Sequence, residues 1–342
     1  MLLEEAAYPC ELNTKSVVLS LEQPQEEGQM ALEKAPFFDS TCMSLDHVAT
    51  IHEGFMQLYR CRSPASGGDN RGAPPLAFVH GFLGDIHDWM PVISSVAGES
   101  DCYAVSLPGH SSSGTSEYAF MENSFSFTSA SMAQLLDQGA ASRPLLVAYS
   151  MGARVALDMV LSSPEKYSGL VVVSSSPGIE DEEEREARAM KDLLLSAQIR
   201  ETSMQSFLEQ WYEQPMFREF RECPQFQSIV SERERIHRRG GIADALRYMS
   251  PGIQESLWPK LSGLAVPLCV VCGERDSKYE AISREMCEAA ARSPHLGEGD
   301  VSMHVVPGVG HCVHLESPEA LAPILASFSS HVAQREEVMN FL

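Results

Sequence analysis

An α/β fold with a mostly parallel sheet, flanked by helices and carrying a helical insertion, is what this 342-residue chain predicts. Three observations carry the prediction. Short apolar runs near 76–80, 102–106, 144–149 and 169–174 alternate with helix-forming stretches, as parallel strands buried on both faces do. The third run breaks sharply at Tyr149-Ser150-Met151-Gly152 into an alanine-bearing helical pattern. A block rich in helix formers, 178–261, then separates the fourth run from a further strand, Pro267 to Cys272.

Taken in order, residues 1–45 hold acidic clusters at Glu4-Glu5 and Glu26-Glu27, a Pro24 and little periodicity, which reads as a tail or linker. Two short strands follow, about 45–51 and 55–61, then a Ser/Pro/Gly loop from Ser63 to Pro75. The strand at 76–80 ends in His80-Gly81-Phe82, and the one at 267–272 runs into Gly273-Glu274-Arg275-Asp276. Met303 to Val306 leads to Pro307-Gly308-Val309-Gly310-His311. The core is therefore expected over 46–177 and 262–332, with 178–261 as a cap above the strand ends, where such insertions set substrate choice.

The turn at Ser150 has the form of a nucleophile elbow. A serine at a strand-to-helix corner projects its hydroxyl from the sheet, and the following N–H and the helix N-terminus face developing negative charge. The usual first glycine is Ala148 here. Nucleophile, acid and histidine in the order Ser150, Asp276, His311 match the α/β-hydrolase fold, with Asp276 orienting the imidazole. Backbone N–H groups of Phe82 and Met151 are the expected oxyanion donors.

Composition narrows the partners. With 25 basic and 47 acidic residues the net charge is −22, which argues against nucleic acid or an anionic membrane surface. No apolar run approaches the roughly 18 residues of a membrane span. The start, Met1-Leu2-Leu3-Glu4-Glu5, lacks the basic region of a secretory signal, and nine scattered cysteines fit a reducing compartment. Cys269 and Cys272 form a C-x-x-C on a strand, where an odd separation sends the thiols to opposite faces, so packing is the expected role. His311-Cys312-Val313-His314 has metal-like spacing without companion ligands, and neither metal nor cofactor is expected.

From about residue 45 to 332 the chain resembles the 2-succinyl-6-hydroxy-2,4-cyclohexadiene-1-carboxylate synthase family, pyruvate-eliminating lyases of menaquinone and phylloquinone synthesis. The resemblance rests on His80-Gly81-Phe82-Leu83-Gly84 with Asp88-Trp89, Leu107-Pro108-Gly109-His110 and Tyr149-Ser150-Met151-Gly152-Ala153-Arg154. It continues in Ser176-Pro177-Gly178-Ile179, Glu184-Arg185-Glu186-Ala187-Arg188 and Trp211-Tyr212-Glu213-Gln214-Pro215-Met216-Phe217. It closes in Gly273-Glu274-Arg275-Asp276-Ser277-Lys278-Tyr279 and Gly310-His311-Cys312-Val313-His314-Leu315-Glu316.

This resemblance implies a small substrate bearing several carboxylates, no cofactor, and substrate contacts from Tyr149, Arg154, Arg188, Trp211, Phe217 and a third cap arginine. Independently, Arg154 lies one helical turn beyond Ser150 and can overhang the same mouth; pairing with Asp158 on the helix surface is the alternative. For Arg188 the alternative is an ion-paired solvated face, and for Trp211 and Phe217, cap core. The third arginine is Arg233 or Arg235; the spacing to Gly240-Gly241-Ile242-Ala243 is one residue off the family pattern, and Arg235 is preferred. The role of Lys278 stays open. A serine hydrolase of esters, thioesters or C–C bonds fits the triad equally well, and a non-catalytic binding protein fits it less. Plant and algal relatives can form the last module of a longer polypeptide, fused to or partnered with other enzymes of the pathway; the location is then a plastid, and otherwise the cytoplasm.

Overall fold

A computed structural model of the chain describes residues 44–62, 73–110, 125–140 and 143–341. The tail expected at 1–45 lies, apart from its last two residues, outside the described residues.

Eight strands form one sheet in the order β1-β2-β4-β3-β5-β6-β7-β8. They are β1 (Ser44–Ile51), β2 (Met56–Arg62), β3 (Leu76–Val79), β4 (Cys102–Ser106), β5 (Leu145–Tyr149), β6 (Gly169–Val173), β7 (Leu268–Gly273) and β8 (Val301–Val306). From β4 to β8 every pairing is parallel, whereas β2 is antiparallel to both β1 and β4. The antiparallel start follows from the short Ile51-to-Met56 connection, since a parallel return needs a crossover of a dozen residues or more.

The eleven described helices are α1 (Met90–Val96), α2 (Phe125–Gly139), α3 (Ser150–Ser162), α4 (Glu182–Glu201), α5 (Met204–Tyr212), α6 (Arg218–Glu222), α7 (Phe226–Ile236), α8 (Arg239–Tyr248), α9 (Ser277–Ala290), α10 (Val313–Glu316) and α11 (Pro318–Phe341). Side-chain alternation along the strands divides the core in two. Phe78, Val147, Val171 and Val271 face one way, packing with Ile93 of α1 and Leu325 of α11. Val79, Leu146, Val172 and Val270 face the other, with Leu135 of α2, Val155 of α3 and Met286 of α9. Each such fully buried side chain stabilises by roughly 1.5–3 kcal/mol relative to exposure, which outweighs any β-propensity difference.

Helices α4 to α8 lie between β6 and β7, the stretch expected as a cap. Helix α4 starts where Asp181 accepts from the Glu184 N–H at 2.8 Å, and Glu182, Glu183 and Glu184 place negative charge on the positive end of its dipole. On the core side the backbone approach is very close: a Cβ on Gly109 would stand 2.3 Å from the Gly241 carbonyl oxygen. Only a side-chain-free pair permits α8 to seat on the loop after β4.

Candidate active site

Strand β5 ends at Tyr149 and α3 begins at Ser150, whose φ of +47° is left-handed although it is not glycine. Backbone strain of this kind persists only where surrounding packing holds it. Gly152 makes the corner possible, because a Cβ there would lie 2.3 Å from the His80 carbonyl oxygen at the end of β3. The Ser175 hydroxyl donates to the Ser150 carbonyl at 2.7 Å and braces the corner from the β6 side.

Asp276 follows β7 at the start of α9, and its Oδ2 lies 2.5 Å from Nδ1 of His311, both groups being buried. Nδ1 therefore carries the proton and Nε2 is the nitrogen left to act as base. The Glu316 carboxylate accepts from the N–H groups of Gly310 and Cys312 at 2.5 and 2.9 Å, fixing the loop that carries His311. Ser150 and His311 border one cavity of about 1100 Å³. No hydrogen bond joins them among the described residues, and bonds of this type commonly tighten only with substrate bound.

Phe82 and Met151 border the same cavity, Met151 in the first turn of α3 where main-chain N–H groups have no partner within the helix. The segment carrying Phe82 is held by three buried histidines. His80 Nδ1 donates to the Gly81 carbonyl at 2.8 Å and its Nε2 accepts from the Leu107 N–H at 3.0 Å. His110 Nδ1 donates to the Pro108 carbonyl at 2.8 Å and its Nε2 accepts from the Leu83 N–H at 3.1 Å. His237, from the cap, donates through Nε2 to the Leu83 carbonyl at 2.9 Å. Burial pushes His80 and His237 down to about 4 and holds His110 well below its usual value, so all three are neutral near pH 7.

Arginines supply the charge. Arg154 is buried, donates from Nη1 to Gln254 Oε1 at 2.6 Å and from Nη2 to the Met249 carbonyl, and stands over the Phe125 ring. Burial, reinforced by the nearby Arg188, lowers its pKa to about 10, which leaves it charged. Asp158, the surface partner considered for it, instead accepts from the Ser129 hydroxyl. Arg188 is half-buried, with Nε 2.8 Å from Asp192 Oδ2, and also borders the cavity.

The preference for Arg235 is corrected. Arg235 lies on the exposed side of α7, bound to Glu232 in the previous turn and away from the cavity, whereas Arg233 is buried and borders it. Positions two apart on a helix differ by about 200° in direction, so the choice between Arg233 and Arg235 is a choice between nearly opposite faces. Arg233 donates to Asp88 Oδ2 at 2.8 Å and to the Tyr212 hydroxyl.

The aromatic residues come together. Trp211 packs edge-on to Phe82 with centroids 5.0 Å apart, and Phe217 lies 6.0 Å from His311, both on the cavity wall. Tyr149 also borders it, but its hydroxyl contacts Cys312 Sγ at 3.2 Å. Sequence reasoning missed Gln254, the pairing of Asp88 with Arg233, and Tyr279, whose ring sits 4.7 Å from His311. Asp88 and Tyr279 fall within matched motifs and were open to notice; Gln254 carries no sequence signal. Lys278 borders the cavity with Nζ over the Tyr279 ring. Cys269 and Cys272 are buried free thiols, and the His314 ring packs at a tilt against both Trp89 and Tyr149. Among the described residues no helix is long and apolar enough to cross a membrane, and no group of three His, Cys, Asp or Glu side chains could hold a metal.

Comparison with known proteins gives consistent results. Residues 76–324 match the alpha/beta hydrolase family. The chain is 31% identical over 256 residues to 2-succinyl-6-hydroxy-2,4-cyclohexadiene-1-carboxylate synthase of Serratia proteamaculans, covering 75% of this chain and 92% of that protein. It is 32% identical over 285 residues to the chloroplastic protein PHYLLO of Arabidopsis thaliana, covering 82% of this chain but 16% of that much longer protein. The solved structure of MenH from S. aureus superposes with a TM-score of 0.72 at 24% identity, over 81% of this chain and 98% of that one.

Proposed function

Because the chain belongs to the alpha/beta hydrolase family, and within it to the 2-succinyl-6-hydroxy-2,4-cyclohexadiene-1-carboxylate synthases, we propose that it is a carbon–oxygen lyase. It eliminates pyruvate from 2-succinyl-5-enolpyruvyl-6-hydroxy-3-cyclohexene-1-carboxylate in menaquinone or phylloquinone synthesis. One observation carries the reading: Arg154, Arg188 and Arg233 all border the cavity that Ser150 and His311 also line. A hydrolase of apolar esters has little use for three cations there, whereas a substrate with several carboxylates needs them in a protein of net charge −22.

His311, oriented by Asp276, takes the proton of Ser150, and the alkoxide removes an acidic C–H proton of the substrate beside its succinyl ketone. The electron pair passes to the ketone oxygen, where the N–H groups of Phe82 and Met151 receive the enolate charge. Re-formation of the ketone drives the electrons through the ring double bond and breaks the C–O bond; the leaving enolate of pyruvate takes up the proton held by His311 and becomes pyruvate, which restores the neutral imidazole. Arg154 and Arg188 clamp carboxylates and bring the C–H to Ser150, while Trp211 and Phe217 exclude water. Similarity to one segment of a chloroplastic polypeptide supports a plastid setting beside other activities of the pathway.

The test is pyruvate release from that precursor. Ser150→Ala should lose about 10²–10⁴-fold, the usual contribution of a positioned base. Arg154→Ala and Arg188→Ala should each lose rate while remaining folded. Near-full pyruvate release by Ser150→Ala contradicts the scheme. A serine hydrolase is the second reading, favoured by the intact triad alone; a trapped acyl-Ser150 during turnover would establish it.

A further inference from the structure

The segment from Gly81 to Trp89 carries the expected oxyanion donor and is gripped from both sides. From the core, His110 accepts the Leu83 N–H; from the cap, His237 donates to the Leu83 carbonyl. Leu83 has a φ of +63°, a conformation that a leucine does not adopt unaided. Two hydrogen bonds, at 3.1 Å to the Phe82–Leu83 peptide and 2.9 Å to the Leu83–Gly84 peptide, therefore hold the planes on both sides of the Leu83 α-carbon in an otherwise unfavourable arrangement. The two imidazoles meet edge to face with centroids 5.6 Å apart.

Helix α7 contributes a second link to the same segment. Arg233 and His237 are one turn apart, and Arg233 donates to Asp88 at 2.8 Å. Both bonds are buried and both cross from cap to core. A cap that lifts from this face must break them together, leaving the Leu83 carbonyl without its imidazole donor and the Asp88 carboxylate without its guanidinium.

We propose that His237 is a positioning residue: it fixes the Leu83–Gly84 peptide, whose Gly84 N–H donates to the Gly81 carbonyl at 3.1 Å, and so sets the Gly81–Phe82 peptide that presents the Phe82 N–H to the oxyanion, making the oxyanion hole complete only when the cap is seated. The proposal rests on the elbow reading of Ser150 and not on the identity of the substrate. It concerns the Nε2 donor, so an amide at that position can replace it. Glutamine places its N–H near where Nε2 stands, whereas asparagine reaches only to the Nδ1 position.

The experiment compares His237→Gln, His237→Asn and His237→Leu in two assays, second-order labelling of Ser150 by a small fluorophosphonate and pyruvate release. Losing an oxyanion donor outright costs about 10²–10³-fold, so mispositioning one should slow labelling and kcat by about 10–100-fold in the Asn and Leu variants, with KM within about twofold. His237→Gln should recover to within about threefold of wild type in both assays, since the donor is restored. Should the Leu variant fail to fold, the Gln and Asn pair, both polar and no larger than histidine, still decides. Wild-type labelling by His237→Asn, or equal slowing by Gln and Asn, overturns the proposal. If the unaltered protein labels but releases no pyruvate, the lyase reading fails and labelling alone decides the role of His237. If it does neither, the elbow reading and this proposal fall together.

Discussion

Gln254 accepts a hydrogen bond from Nη1 of Arg154 at 2.6 Å, with both residues buried where the cap meets the core. Arg154 is thereby aimed from behind, its charge balanced by an amide and a carbonyl rather than by a carboxylate, and its electrostatic pull on an anion is not quenched. Gln254→Leu removes that support. Stability should fall by about 1.5–3 kcal/mol, the worth of a hydrogen bond to a charged group, and KM should rise about tenfold with kcat little changed. Denaturant titration and steady-state kinetics check the two effects; a raised kcat or an unchanged KM counts against it.

Acid should destabilise the protein through its buried histidines. His80 and His237 ionise near the usual 6.5 when unfolded but only at about 4 when folded, so between these values the unfolded chain binds more protons. Their contribution is complete above pH 6.5 and lost as pH falls toward about 4, at up to about 1.4 kcal/mol per pH unit for each ring. His87 acts oppositely, since its Asp85 partner at 2.9 Å raises it, but it is one ring against several. Unfolding free energies measured at pH about 7 and about 5 should show the decline, and His237→Gln should flatten it.

Arg233 and Arg235 should separate cleanly. Arg235→Ala loses an exposed pair with Glu232, worth about 0–1 kcal/mol, and should keep wild-type kinetics. Arg233→Ala strands Asp88 in a buried site and should cost about 3–5 kcal/mol along with most activity. Thermal melts and pyruvate release of the two variants, compared directly, provide the check.

Gly241→Ala should unseat the cap. A Cβ there would lie 2.5 Å from the Gly109 carbonyl oxygen, backbone that cannot yield locally. A loss of about 1–3 kcal/mol is expected, with reduced turnover. Gly263→Ala, where a Cβ meets nothing within 4 Å, serves as the control and should change stability by less than about 1 kcal/mol in either direction.

The sheet was legible because its strands are apolar runs punctuated by glycine and proline, and local patterns of this kind survive into the fold. Ser150, Asp276 and His311 were legible because each stands at the end of such a run, where the topology must bring the ends together. What escaped lies across long separations. Gln254 meets Arg154 a hundred positions away, and nothing near either residue marks the contact. His237 meets Leu83 in the same way. The choice between Arg233 and Arg235 failed for a different reason: helical phase in the cap depends on where α7 begins, and no capping residue fixes that start.

The left-handed backbone at Ser150 implies that this enzyme is not built for maximum durability. Glycine would relax that corner and abolish the hydroxyl, whereas alanine abolishes the hydroxyl and keeps the tension. Of two equally dead proteins, Ser150→Gly should therefore outlast Ser150→Ala by about 1 kcal/mol, leaving reactivity and robustness in direct competition at a single α-carbon.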